Sequence, residues 1–241
     1  MASHSLKRIL IKVSGEALAG DNSFGIEPEF LDQVARQLWD LSNSGLEVAI
    51  VVGGGNIFRG MSVAAGGADR VVGDHMGMLA TVINSLALGD AIKRCGGMAK
   101  VYSNIAMPAV ADTFTVRDAR RALEEGKVTI CAGGSGNPFF TTDTAAALKA
   151  VELQCDALFK GTQVDGVYSA DPKLDPDAVR FEQVSYDDVI SKNLKVMDMA
   201  AFALARDNKL PIYVYQLDVE GGVSAVIEGT AVSTLVTESA E

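Results

Sequence analysis

Histidine is nearly missing from this chain, with only His4 and His75 in 241 residues. A multi-histidine metal site and two-histidine catalysis are thereby excluded. Cysteine is scarce as well. The 3 cysteines, Cys95, Cys131 and Cys155, are odd in number, far apart and set among apolar neighbours. They read as reduced core thiols, which points to a cytoplasmic protein and away from a disulfide framework or zinc site. Positive charge is in deficit: Lys and Arg total 21 against 31 Asp and Glu, a net charge of −10. A binder of phosphate backbones is normally basic, so no nucleic-acid partner is expected. No long hydrophobic run exists. Uncharged stretches such as 76–89 contain Thr, Asn, Ser and Gly and are too short for a bilayer span. No signal peptide is visible, so no membrane contact is expected.

The common nucleotide motifs are missing too. Gly20 to Gly25 has the glycine spacing of a P-loop but continues as Ile26-Glu27, without the Lys-Ser/Thr pair. Gly53 and Gly55 begin a dinucleotide pattern that meets Phe58 where its third glycine belongs. Asp165-Gly166-Val167 is not the metal-binding triplet of protein kinases.

What remains is an ordinary globular composition, 48% apolar and 22% charged, with a glycine excess of 24 residues. Apolar runs at 8–13, 46–52, 98–102, 128–132, 157–160, 212–216 and 233–237 read as strands. The last of these closes the sheet. Helical spacing is expected over 28–44, 71–95, 115–125, 144–153 and 199–207, and Gly221-Gly222 opens a final helix. Alternation of this kind predicts a parallel sheet between helical layers. No linker divides the chain. A single domain is expected, with an N-terminal acceptor half to about residue 155 and a C-terminal nucleotide half after it.

Two glycine turns carry the chemistry. Gly133-Gly134-Ser135-Gly136-Asn137-Pro138-Phe139-Phe140-Thr141-Thr142-Asp143 joins a strand to a helix start. Glycines let the backbone approach a ligand, and free N–H groups at the helix start face it. Gly53-Gly54-Gly55-Asn56 follows a second strand and leads to Phe58-Arg59-Gly60. Together with Lys12 at the end of the first strand, they suggest two phosphate-bearing ligands held close together. Each residue also has a plain structural reading. Lys12 and Lys160 could be strand-end surface lysines, Asp143 and Asp74 acidic residues near helix starts, and Arg59 half of a surface ion pair. Of Phe139 and Phe140, one is expected in the core. Met76 to Met78 suit core or interface, and His75 suits a packed polar role.

These blocks resemble the amino acid kinase family, and within it the branch whose acceptor is UMP. The resemblance is carried by 12–18, 53–60, 70–78 and 136–143, with Val164 to Pro172 and Leu194-Lys195-Val196-Met197-Asp198 behind them. It implies a three-layer α/β/α sandwich around an open, mostly parallel sheet. It implies transfer of the γ-phosphoryl of ATP to UMP with Mg²⁺, in pyrimidine nucleotide biosynthesis. The metal rides on the phosphates, with no protein ligand set. It further implies a homohexamer, activated by GTP and inhibited by UTP.

By the same resemblance, Lys12, Asp143, Lys160 and Arg59 are catalytic. UMP is held by Gly54, Asp74, Ser135, Gly136, Asn137, Pro138, Phe139, Phe140, Thr141 and Thr142. ATP is held by Lys12, Val13, Ser14, Gly15, Gly55, Arg59, Thr162, Tyr168 and Asp171. Gly20, Asp21, Asn22, Ser23, Phe24 and Gly25 match the segment linked to GTP activation. Two other readings stay open: a relative acting on a carboxylate or carbamate, and a nucleotide-binding storage protein on the same fold. The chain has no room for the regulatory domains that many of the former carry. Intact Lys12, Asp143 and Lys160 argue against the latter.

Overall fold

The structure is a computed structural model that describes residues 6–58, 67, 69–172, 174–194, 196–217 and 221–239. In chain order its elements are β1 (Arg8–Val13), a 3₁₀ turn (Glu16–Ala19), α1 (Pro28–Asn43), β2 (Glu47–Val52), α2 (Arg70–Arg94), β3 (Ala99–Ser103) and β4 (Asp112–Thr113). Then follow α3 (Val116–Glu124), β5 (Val128–Ala132), α4 (Thr142–Leu153), β6 (Ala157–Thr162), β7 (Gln183–Ser185) and α5 (Tyr186–Ser191). The chain ends with α6 (Met199–Asp207), β8 (Ile212–Gln216), α7 (Gly222–Ile227) and β9 (Ser233–Thr237).

One sheet runs β4-β3-β5-β2-β1-β6-β8-β9-β7. All neighbours pair parallel except β8 with β9, which are antiparallel. The central strands are apolar on both faces, as a covered parallel sheet requires. Their alternation assigns the layers. Ile9, Ile11 and Val13 join Val48, Ile50 and Val52 in a core with α1, α2 and α7. Leu10, Ala49, Val51 and Leu158 join the opposite core with α3, α4, α5 and α6. The expected three-layer α/β/α architecture is present.

Several boundaries differ from the sequence reading. The strand beginning at Ala157 runs on to Thr162, so Lys160 is inside β6 and not at its end. α4 begins at Thr142, two residues early, because Thr141 caps it: Thr141 Oγ1 accepts from the Asp143 N–H at 3.0 Å. β9 does not close the sheet. The three-residue β7 lies outside it, too short and too polar to register as a periodic run. The two-residue β4, at the opposite edge, is missed for the same reason. α2 is apolar and long enough to cross a bilayer by length and composition. In this fold it is an outer-layer helix, packed on α1, β3, β5 and β2.

Candidate active site

Because β1, β2, β5 and β6 run parallel, the loops that follow them emerge at one edge of the sheet. That edge is where α/β sheets bind ligands. Side-chain parity does the next step. Lys12 shares the face of Leu10, and Lys160 that of Leu158, so both project toward the α4 layer. They are direct register partners on adjacent strands. The start of α4 delivers Asp143 between them. Lys12 Nζ lies 3.1 Å from Asp143 Oδ1, and Lys160 Nζ lies 2.6 Å from Oδ2. Lys160 Nζ also donates to the Val196 carbonyl.

All three side chains are nearly enclosed. Burial pushes the Asp143 carboxyl up, but the two ammonium groups outweigh it and hold the group below the usual carboxylate range. Burial pushes Lys160 down, and Asp143 opposes this while Lys12 adds to it; the net direction is down. The carboxylate is thus firmly ionised, while the ammonium beside a like charge is held less firmly. The trio carries two cations and one anion, with Asp198 a second carboxylate acting on Lys160. Asp143 Oδ1 is buried and accepts no aligned hydrogen bond among the described residues. Those residues include no group of three His, Cys, Asp or Glu able to hold a metal.

A buttress stands behind the trio. Asp198 caps α6, accepting from the Ala201 N–H at 2.8 Å. The same carboxylate accepts from the Thr144 hydroxyl at 2.8 Å and from the Thr141 hydroxyl. It thereby ties together the N-termini of α4 and α6, whose dipoles both favour anions. Asp198 lay inside a recognised block, yet its role depends on an inter-helix contact that no local pattern signals.

The turns that follow β1 and β2 meet closely. A Cβ on Gly15 would stand 2.5 Å from the Gly53 carbonyl oxygen, so these two turns can meet only as glycines. Asn56 and Asn84, both buried, form a reciprocal amide pair at 3.1 and 2.7 Å. Asn84 also donates to the Gly53 carbonyl at 2.7 Å, and Asn56 to the Gly25 carbonyl at 2.7 Å. The 20–25 loop is thus pinned to the 53–55 turn, with Phe24 exposed on it.

Two clefts adjoin the trio. One of about 470 Å³ is lined by Thr162, Tyr168, Asp171 and Val196 among others, which places the three expected nucleoside contacts together. Tyr168 is braced by its hydroxyl, which donates to Asp165 at 2.7 Å. The other, of about 240 Å³, is lined by Gly54, Gly55, Asp74, Ser135, Asn137, Phe140, Thr141 and Thr142, together with Arg70. Gly136, Pro138 and Phe139 do not line it. Phe139 instead donates its N–H to Asp74 Oδ2 at 2.7 Å. Neither Phe139 nor Phe140 is core, at 66% and 50% exposure, because their loop projects from the ligand edge. His75 is exposed on α2 and not packed, and Met76 and Met78 fall on opposite sides, exposed and buried. Arg59, expected at the phosphates, lies outside the described residues.

Known proteins share this fold. Residues 7–216 match the model of the amino acid kinase family. Uridylate kinase of Brucella anthropi is 53% identical over 233 residues, 97% of each chain. That of Mesorhizobium japonicum is 54% identical over 232 residues, 96% of this chain and 97% of the other. The crystal structure of UMP kinase from Bacillus anthracis superposes with a TM-score of 0.93 at 38% identity, covering 98% of this chain and 97% of that one. The chain belongs to the amino acid kinase family.

Proposed function

We propose that this chain transfers the γ-phosphoryl of ATP to UMP, giving ADP and UDP. It is a nucleoside monophosphate kinase, and UMP as acceptor accords with the names of its relatives. One observation carries the mechanism: the Lys12–Asp143–Lys160 trio is flanked by two clefts. Val196, whose carbonyl accepts from Lys160, lines the larger. Thr142, next to Asp143, lines the smaller.

Phosphoryl transfer needs positioning and charge neutralisation more than covalent chemistry. The acceptor phosphate has a second pKa of about 6 and is mostly dianionic at neutral pH. No general base is required, and no histidine lines either cleft. Lys12 and Lys160 neutralise the phosphoryl in flight, with the N-termini of α4 and α6 aimed at the same place. Asp143 keeps the two lysines at working distance. Mg²⁺ carried in on ATP would supply further screening of the phosphate charge that Lys12 and Lys160 meet.

In this reading Thr162, Tyr168 and Asp171 take the adenosine, in the C-terminal half. Asp74 and the 135–142 loop take the uridine, in the half that ends near residue 155. GTP activation through the 20–25 loop, UTP inhibition, a cytoplasmic location and a place in pyrimidine nucleotide synthesis belong to the same proposal. So does a homohexamer. It is supported by Val72, Met76, Leu79 and Ile83, which form an apolar stripe on α2 that is 43–54% exposed. A coupled ADP-release assay with UMP, CMP and carbamate tests the reading. UMP should support turnover, and the other two should be poor acceptors. Turnover with carbamate alone, or none with any acceptor, would overturn it.

A further inference from the structure

The adenosine cleft has a brace behind its aromatic wall that the mechanism does not use. Tyr168 lines the cleft, and its hydroxyl donates to Asp165 Oδ1 at 2.7 Å. Arg180 faces the other oxygen of that carboxylate, with Nε 3.9 Å from Oδ2. Tyr168 and Arg180 stand opposite each other in a short antiparallel bridge. On its two sides the Ser169 N–H donates to the Val179 carbonyl at 2.9 Å and the Phe181 N–H to the Val167 carbonyl at 2.8 Å. The guanidinium is itself anchored, because Nη1 donates to the Ser233 carbonyl of β9 at 2.9 Å. Its stem lies over Gly166, where an added Cβ would stand 3.0 Å from Arg180 Cδ and 2.4 Å from Thr234 Oγ1. Arg180 thus ties the sheet, through β9, to the turn that carries Asp165 and to the segment that carries Tyr168. Asp171, also lining the cleft, lies on the 170–178 arm whose two ends this pairing joins.

A tyrosine ring serves as a wall for a flat heterocycle only while its plane is fixed. The hydroxyl bond fixes the outer end of Tyr168, and that hold is as firm as Asp165. The Asp165 side chain is 34% exposed, so water competes for its oxygens. An ion pair this open contributes little stability by itself. A hydrogen bond to an ionised acceptor is stronger, but only while the acceptor points at its donor. The service of Arg180 is therefore orientation: one carboxylate oxygen stays turned to the guanidinium, which leaves the other aimed at Tyr168. We propose that Arg180 is a positioning residue for the phosphoryl donor: through Asp165 it fixes the Tyr168 ring as a wall of the adenosine cleft. This rests on that cleft as the ATP site. Arg180 does not itself line the cleft, so a change there reaches the nucleotide through the brace.

The test uses the full chain with Arg180→Gln, Arg180→Lys, Asp165→Ala, Tyr168→Phe, Tyr168→Ala and the double variant of Arg180→Gln with Tyr168→Phe. KM for ATP, KM for UMP and Tm are measured for each. Arg180→Gln should raise KM for ATP about three- to tenfold and leave KM for UMP within about twofold, since the acceptor cleft is untouched. Asp165→Ala should match it. Arg180→Lys, which keeps the charge but not the planar fork that reaches Asp165 and Ser233 together, should fall between. Tyr168→Phe lacks the hydroxyl, so adding Arg180→Gln to it should raise KM for ATP by less than about twofold further. A merely structural arginine would lower Tm and add its full effect in that background. KM for ATP within about twofold in Arg180→Gln, full additivity with Tyr168→Phe, or ATP and UMP constants rising together would each overturn the proposal. If Arg180→Gln does not fold, Arg180→Lys and Asp165→Ala are judged by the same criteria. Tyr168→Ala removes the wall itself, and KM for ATP within about twofold there would overturn the ATP reading of the cleft. A larger rise there, with any of the former results, removes only the role of Arg180.

Discussion

Replacing Asp143 with asparagine removes one charge from the centre of the site and little else. Lys12 and Lys160 are register partners on neighbouring strands, so their backbones are about 4.8 Å apart. Two like charges about 5 Å apart, at an effective dielectric near 20, repel by about 3 kcal/mol. Asp143 cancels that repulsion in the native protein, and its loss leaves two enclosed cations facing each other. Breaking a buried pair from one side costs about 3–5 kcal/mol, which agrees. For a chain of this size, a loss of 3 kcal/mol lowers Tm by about 6–12 °C.

The pH dependence has a definite sign. Lys160 already sits below the usual lysine range, because burial outweighs Asp143, and without Asp143 it falls further. A folded state that binds the proton more weakly than the unfolded one gains stability as pH rises from the folded value toward the usual lysine range. Asp143→Asn should therefore recover part of its lost stability as pH rises into the usual lysine range. The native carboxyl is lowered, so its support is present above the usual carboxylate range and is lost as pH falls through the folded value. The gap in Tm between the two proteins should narrow both on acidification through the carboxyl and on alkalinisation toward the lysine range. Added ATP should stabilise the variant more than the native protein, since phosphate supplies the missing anion. The kcat should drop by roughly two to three orders of magnitude, the range for losing one preorganised electrostatic group. Differential scanning calorimetry across pH, with steady-state kinetics, measures all of this. A Tm within about 2 °C of native at pH 7, with kcat within about fivefold, would refute the electrostatic account.

Two other predictions bear on the same reading. Lys12→Ala should fold, keep a similar KM for UMP and lose about a hundredfold or more in kcat, because a cation aimed at developing charge is worth about 3 kcal/mol. A fall of less than about fivefold would remove Lys12 from the transferring phosphoryl. Sedimentation should find a hexamer whose rate rises with GTP at fixed ATP, and Ile83→Asp on the exposed stripe of α2 should reduce it to smaller species. A native protein that is monomeric and indifferent to GTP would sink the assembly and its regulation together.

The hydrophobic period alone located β1, β2, β5 and β6, and the long helix α2, to within a residue or two. The two glycine turns were legible because few other residue types allow such close backbone approach. Lys12 and Asp143 were legible as candidates because each stands beside a strand end or helix start in a recognisable block; Lys160, inside β6 and outside those blocks, was signalled only as a charge in an apolar strand. Their meeting was not legible. That Lys12 and Lys160 are neighbours follows from β1 and β6 pairing at that register, which joins segments remote along the chain. The service of Asp198 to two helices, the hold of Arg180 on Asp165, and the outward turn of Phe139 and Phe140 are likewise contacts between distant segments. So is the burial of Asn56 against Asn84. The edge strands β4 and β7 have two and three residues, too few to show a period. A sequence sets the local period and the side-chain chemistry. Strand order and register, determined only when the layers pack, decide which of those side chains share a site.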